Sequence, residues 1–252
     1  AAYRAKINIP LDCRDGACGT CKCHCESGTY TQGVYIDDAL TEDEAAKGFV
    51  LSCQMTPTSD CVVRIPASSA ACKTEVSSHA STITKINRDS KTTVSFTVQA
   101  DRAISFLPGQ YVNLQVPGTT ETRAYSFSSA PNQAELSFLI RDVPDGLMST
   151  FMRSKANTGD TMSFTGPYGS FYLRPAARPI LMLAGGTGLA PFLSMLLWLK
   201  DNPTDQPIML AYGVNTNDDL VELDTLNQLK AAMPNLDFTT VVGDPASGHP
   251  TL

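Results

Sequence analysis

Eight cysteines crowd the first 72 of 252 residues, and the remaining 180 contain none. Cys13, Cys18 and Cys21 are spaced C-x4-C-x2-C, and Cys53 lies far downstream. Three thiolates on one tight loop and a fourth from a distant segment can enclose two irons, as a [2Fe–2S] cluster requires. Gly16 and Gly19 allow that loop the φ angles that aim backbone N–H groups at sulfur. Other chemistries compete for the same residues. Cys18-Gly-Thr-Cys21 alone could be a redox dithiol, but Cys13 and the missing βαβ context argue against it. A zinc site of Cys18, Cys21, Cys53 and Cys61 needs a 31-residue gap that suits no common zinc spacing. A secreted disulfide scaffold would be stapled throughout its length. The uneven usage points instead to a metal site in a reducing, cytoplasmic compartment.

The strings DCRDGACGTC and LSCQ resemble a plant-type ferredoxin over most of residues 1–66. That resemblance implies Cys13, Cys18, Cys21 and Cys53 as the iron ligands. It leaves Cys23, Cys25, Cys61 and Cys72 without a ligand role, as small apolar residues or surface thiols. It also implies a β-hairpin ahead of the cluster loop, which the twelve residues before Cys13 cannot hold. The first methionine is Met55, and the expectation is a chain cut at both ends.

A second set of residues suits a bound dinucleotide. Arg123-Ala124-Tyr125-Ser126 closes a β-run. Arg123 can give paired hydrogen bonds to a pyrophosphate, and Tyr125 can lay its ring against an aromatic ligand. Gly146-Leu147-Met148-Ser149 opens a helix expected over 148–156, whose free N–H groups suit an anion. Pro108-Gly109-Gln110-Tyr111 lies upstream and Gly166-Pro167-Tyr168-Gly169 downstream. In this order the four motifs resemble the ferredoxin–NADP reductase superfamily, whose flavin domain is a six-stranded antiparallel barrel. The resemblance implies FAD, with the Ser126 hydroxyl near flavin N5.

Further on comes Gly185-Gly186-Thr187-Gly188-Leu189-Ala190-Pro191. Counted from Gly186 this is G-x-G-x-x-P, which departs from the dinucleotide fingerprint at its last glycine. The same superfamily carries the GGTGxAP form. The resemblance implies a nicotinamide site at Gly186, Thr187, Gly188, Tyr212 and Gly213, with Thr187 near the flavin–nicotinamide junction. Ser126 and Thr187 are therefore the residues expected at the hydride step, which needs no side-chain acid or base.

Elements that would position these residues follow from periodicity. Short β-runs at 93–98, 111–116, 124–127, 136–140 and 161–164 suggest a small antiparallel barrel. Strand 180–184, helix 191–199, strand 208–212, helix 220–232 and strand 237–242 alternate as in a parallel α/β sheet. Phe192, Met195, Leu196 and Leu199 form one helical stripe, read as core. The stretch PILMLAGGTGLAPFLSMLLWL is long enough to cross a bilayer, but its glycines and Pro191 break it into strand, turn and helix. Thr41 and Glu44 fit a capping box that explains the acidic run 37–44. Residues 1–66 hold nine acids against six bases, while 81–175 hold nine bases against seven acids. A net charge of −6 disfavours a broad nucleic-acid footprint.

The expected fold is multidomain, α+β and α/β. It comprises a partial β-grasp ferredoxin domain (1–66), a Ser/Ala-rich linker (67–81), a six-stranded antiparallel flavin-binding β-barrel (82–175) and a truncated parallel α/β nucleotide-binding domain (176–252). Modules in that order resemble the reductase components of bacterial ring-hydroxylating dioxygenases of the benzoate, toluate and anthranilate type. The resemblance implies a monomeric, soluble NADH-dependent oxidoreductase. Electrons would run from NADH to FAD, to the [2Fe–2S] cluster and to a separate Rieske-type terminal oxygenase. The reductase of a soluble di-iron monooxygenase uses the same modules, and an electron-carrier ferredoxin without NADH oxidation is a reading from another class.

Overall fold

The computed structural model describes residues 2, 7, 9–11, 13–67 and 76–249. Two compact units divide the chain, Ala1–Glu75 and Val76–Leu252.

In the first unit β1 (Lys22–Ser27) lies between β3 (Phe49–Leu51) and β5 (Val62–Arg64), antiparallel to both. A separate ribbon pairs β2 (Tyr30–Gln32) with β4 (Met55–Pro57). Helix α1 (Glu42–Ala46) starts where the sequence places a cap. Glu44 N–H donates to the Thr41 hydroxyl at 3.3 Å, and Thr41 N–H donates back to the Glu44 carboxylate at 3.0 Å. The same carboxylate receives Lys22 Nζ at 2.6 and 2.8 Å, which pins α1 to the start of β1. Lys22 and the Thr41 N–H hold the Glu44 carboxyl below its ordinary range. Cys21, Ala39, Leu40 and Leu51 form the small core beneath.

The second unit begins with an antiparallel sheet of six strands. These are β6 (Ser77–Asn87), β7 (Thr93–Ile104), β8 (Tyr111–Gln115), β9 (Thr122–Ser126), β10 (Gln133–Arg141) and β11 (Thr161–Tyr168), in the order β10-β7-β6-β11-β8-β9. The sheet curls until its edges meet: Phe127 bridges Phe138, and Ser128 N–H donates to Ser137 O at 2.8 Å. Inside the curl Phe127 stacks on Phe106 with ring centres 3.8 Å apart and lies 5.6 Å from Phe138, which itself stacks on Phe96. Helix α2 (Leu147–Ser154) closes one end with Met148 and Met152 in this core.

Strand β6 corrects the linker reading of 67–81, since it occupies Ser77 to Ser81; residues 68–75 lie outside the described residues. Its inward positions begin with His79 and Ser81, two polar residues. The His79 ring stacks on Phe164 and meets Ser77 Oγ at 2.8 Å and Asp101 at 3.3 Å; Ser81 Oγ donates to Met162 O at 3.1 Å. Polar groups so satisfied can replace apolar ones in a core and hide the alternation.

A parallel sheet follows: β12 (Ile180–Gly185), β13 (Ile208–Val214) and β14 (Leu236–Val242), with Ile180 beside Ile208 and Ile208 beside Leu236. Helices α3 (Ala190–Asp201) and α4 (Leu223–Ala232) supply Leu193, Leu196, Leu199, Leu226 and Leu229 to its core. Among the described residues no helix is long and apolar enough to cross a membrane.

Phe138 is fully buried and touches both halves of the aromatic stack. Phe138→Ala is expected to destabilise the second unit by ~3–5 kcal/mol. A shift of the denaturant midpoint equivalent to less than about 1 kcal/mol would show that the stack is not its core.

Candidate functional site

The cluster loop turns on three residues with positive φ: Arg14, Gly16 and Gly19. A Cβ on Gly16 would stand 2.5 Å from Val34 O, so only glycine lets the loop lie against that segment. Ile36 N–H donates to Gly16 O at 3.3 Å. Gln54 ties the distant ligand's turn to the loop: its side-chain amide donates to Arg14 O at 3.2 Å, and its carbonyl accepts Gly33 N–H at 2.8 Å.

Within this frame the four sulfurs meet pairwise. Cys18 N–H donates to Cys13 Sγ at 3.3 Å. Cys53 faces Cys21 and Cys13 and receives the Gly16 N–H. Burial and the Cys21 thiol push Cys53 up to about 11. Burial acts the same way on Cys18, but hydrogen bonds from Thr20 and the Cys13 pairing outweigh it and bring it to about 7. Cys21 is buried and Cys53 half-buried, whereas Cys13 and Cys18 are exposed. Among the described residues no three His, Cys, Asp or Glu side chains gather tightly enough for a single metal ion. Four thiols spread around a wider centre, with backbone N–H groups aimed at two of them, fit a two-iron cluster instead. Cys23 donates its buried thiol to Val50 O and is pushed up to about 11, first by burial and then by the neighbouring Cys21 and Cys25 thiols. Cys72 lies outside the described residues.

In the barrel, Arg123, Ala124, Tyr125 and Ser126 run along β9 opposite Leu114, Asn113, Val112 and Tyr111. Arg123 is exposed and donates to Thr122 O at 2.7 Å and to Glu121 at 3.2 Å, so its guanidinium lies at the surface with only local partners. The half-buried Tyr125 ring packs on the barrel core. Gly146 caps α2 without a side-chain partner for the first N–H groups. A Cβ there would stand 2.5 Å from Ser149 Oγ and 3.0 Å from Val143 O. Two expected ligands are otherwise engaged. The Met148 side chain is buried in the core, and the Ser149 hydroxyl donates to Val143 O at 2.8 Å. Only the backbone of 147–149 is left for an anion. The two outer motifs are structural: Gln110 Nε2 donates to Gly169 O at 3.0 Å and its Oε1 accepts Leu107 N–H at 2.8 Å.

At the carboxyl ends of β12, β13 and β14 opens a cavity of about 460 Å³. Gly185, Gly186, Thr187, Gly213, Val214 and Asn215 line it from the parallel sheet, and Thr92, Thr93 and Arg141 from the barrel. Gly186 has φ +52°, and around the positions where Gly185 and Gly186 would carry a Cβ there is nothing within 4 Å. Side chains would fill the cavity, so the glycines form a cradle for a ligand that approaches backbone. Thr187 reaches this lining, but Gly188 does not. Tyr212 does not either, which corrects its expected role. Its ring is fully buried, its hydroxyl donates to Asp219 O at 3.3 Å and accepts Val221 N–H at 3.4 Å. Alternation along β13 sends Tyr212 to the helix side.

Thr92, Thr93 and Arg141 are lining residues that the sequence motifs missed, whereas Asn215 and Asp219 belong to the base-free loop that follows the second parallel strand in the sequence. Asp219 accepts Thr216 N–H and hydroxyl at 3.1 and 2.7 Å on one oxygen and the Thr92 hydroxyl on the other. Burial would raise it, but these hydrogen bonds and the Arg141 charge hold it below the usual carboxylate range. The only signal in the sequence was that Arg141 directly follows a β-run.

Three family models match the chain: a 2Fe-2S iron–sulfur cluster binding domain over residues 1–58, an oxidoreductase FAD-binding domain over 78–172 and an oxidoreductase NAD-binding domain over 182–250. The toluate 1,2-dioxygenase electron transfer component of Pseudomonas putida is 51% identical, and the 2-halobenzoate 1,2-dioxygenase electron transfer component of Burkholderia cepacia 53%. Each match covers 99% of this chain and 75% of the relative. A crystal structure of an Amycolatopsis cytochrome P450 reductase superposes with a TM-score of 0.73 at 29% identity, covering 98% of this chain and 78% of that one. The chain therefore belongs to the family of iron–sulfur flavoprotein electron transfer components that includes those of toluate and 2-halobenzoate 1,2-dioxygenase.

Proposed function

We propose that this chain is the reductase of an aromatic-ring dioxygenase, drawing electrons from NADH and delivering them to a separate Rieske-type terminal oxygenase. It would act as a soluble cytoplasmic monomer, with no nucleic-acid or membrane partner. Bound FAD would accept a hydride and release electrons singly, and a [2Fe–2S] cluster would pass them on. The observation that carries the reading is the cavity shared by glycine turn and barrel. A nucleotide lying on Gly186 and Thr187 meets residues of the flavin-type barrel directly. Ser126, at the end of β9, and Thr187, in the cavity lining, are the residues proposed to face the reacting cofactor atoms. Orientation carries the hydride step.

Cys13, Cys18, Cys21 and Cys53 are the proposed iron ligands. Cys53→Ser is expected to lose the cluster absorption and iron while keeping flavin. NADH would still reduce a small dye that accepts electrons from flavin, but not an acceptor served by the cluster. An intact cluster spectrum in this variant would refute the assignment.

Arg123, Tyr125 and the N-terminus of α2 are the proposed FAD contacts. Arg123 is half-exposed and holds only local partners, so its removal leaves the barrel intact. Arg123→Ala is expected to weaken flavin by ~1.5–3 kcal/mol for each charged hydrogen bond lost, with iron content unchanged. Flavin retention equal to that of the parent would make Arg123 a surface charge only.

NADH is the expected donor over NADPH. Past β13 the chain reads Asn215-Thr216-Asn217-Asp218-Asp219, without a base, and Asp219 is held ionised beside the cavity. The base in the lining, Arg141, shares it with Asp219, whose carboxylate feels the Arg141 charge. In steady-state dye reduction kcat/KM for NADPH should fall at least about tenfold below that for NADH, equivalent to ~1.4 kcal/mol. Equal efficiency with both nucleotides would contradict this reading of the loop.

A further inference from the structure

Four cysteines lie outside the proposed ligand set, and two of them, Cys25 and Cys61, share one turn. Cys25, near the end of β1, donates its thiol to Ser27 O at 3.3 Å. Cys61, just before β5, donates to Thr29 O at 3.4 Å and Ser59 O at 3.5 Å. Both thiols thus hang on carbonyls of the segment 27–29, and the two sulfurs face each other closely enough to interact directly. Two features of the backbone make this meeting. The β1–β5 register shifts between Cys25 and Ser27, so that Cys25 lies opposite Val63 and Ser27 opposite Val62. Gly28, at φ +100°, carries no side chain where a Cβ would stand 2.7 Å from Cys61 Sγ. The space under the turn is given to the thiol. Both cysteines are half-buried, within reach of a small oxidant, and unbonded to each other.

We propose that Cys25 and Cys61 are an oxidation site, a dithiol that closes to a reversible disulfide when hydrogen peroxide reaches the iron–sulfur unit. Peroxide transfers one oxygen to the Cys25 sulfur, giving a sulfenic acid and one water. The Cys61 sulfur then displaces hydroxide from it, forming the S–S bond and releasing a second water as its proton leaves. Two thiols and one peroxide become one disulfide and two waters. Burial and the neighbouring sulfur raise the Cys61 thiol, which suits a resolving partner better than a first nucleophile. Bond formation draws the two strands together at their bulged edge and closes a loop over residues 26–60, which holds α1, β3 and Cys53. Neither cysteine belongs to the set proposed for iron, and Cys23 is buried with its thiol on Val50 O.

The test uses the loaded protein, treated anaerobically with one equivalent of hydrogen peroxide, then alkylated, digested and mapped by mass spectrometry. Parent, Cys23→Ser and Cys72→Ser should each lose two alkylatable thiols and show a Cys25–Cys61 cross-link, reversed by dithiothreitol, with cluster absorption unchanged. Cys25→Ser and Cys61→Ser should give no cross-link, and their cluster spectra report that they are folded. A cross-link that persists in Cys25→Ser, oxidation to sulfinic acid without a bond, or cluster bleaching ahead of thiol loss would each overturn the proposal.

Discussion

Barrel and parallel sheet meet at Gly109, and this close approach is the constraint on which the nucleotide site depends. The residue has φ +107°, and a Cβ would stand 2.5 Å from the Met195 methyl on α3 and 2.6 Å from Phe171 O. Any side chain would collide with the 171–172 backbone and displace the Met195 methyl. Because the approach is tight, Thr92, Thr93 and Arg141 from barrel strands come to line one cavity with Gly186 and Thr187. A hydride moves only between atoms already in contact, so the packing of a core methionine against a bare glycine reaches through to the chemistry.

The loop beyond β13 extends this logic. Tyr212 is spent as a post: its buried hydroxyl holds Asp219 O and Val221 N–H and so fixes the 216–221 turn from below. From above, the Thr92 hydroxyl reaches the Asp219 carboxylate. Asp219 is thereby fixed in charge and place between the two modules. Its negative charge, in the field of Arg141, stands at the lining of the cavity. In the first unit Gln54 serves a comparable purpose, joining the turn that carries Cys53 to the loop that carries the other three cysteines.

What the sequence made legible was local. Ligand spacing on one loop, the capping box of Thr41 and Glu44, and the strand–turn–helix break within 180–201 each lie within a few residues of their physical cause. What it hid depended on packing across long separations. Strand β6 was unreadable because His79 and Ser81 occupy core positions and find their partners on β7 and β11. Tyr212 sits at a strand end beside Gly213, yet the pleat turns it into the core. Met148 and Ser149 belong to a helix start that suits an anion, but their side chains are committed to the barrel. Arg141 and Thr92 carry no motif; only the seating of one module on the other brings them to the glycine turn.

Electrons pass in order from nicotinamide to flavin to cluster. Anaerobic stopped-flow mixing of the loaded protein with NADH deuterated at the transferred position tests it most directly. Ordered transfer gives a flavin-bleaching phase slowed by deuterium, followed by a cluster-bleaching phase that arises from the reduced flavin. Cluster reduction that precedes flavin bleaching, or proceeds in protein stripped of flavin, would contradict it.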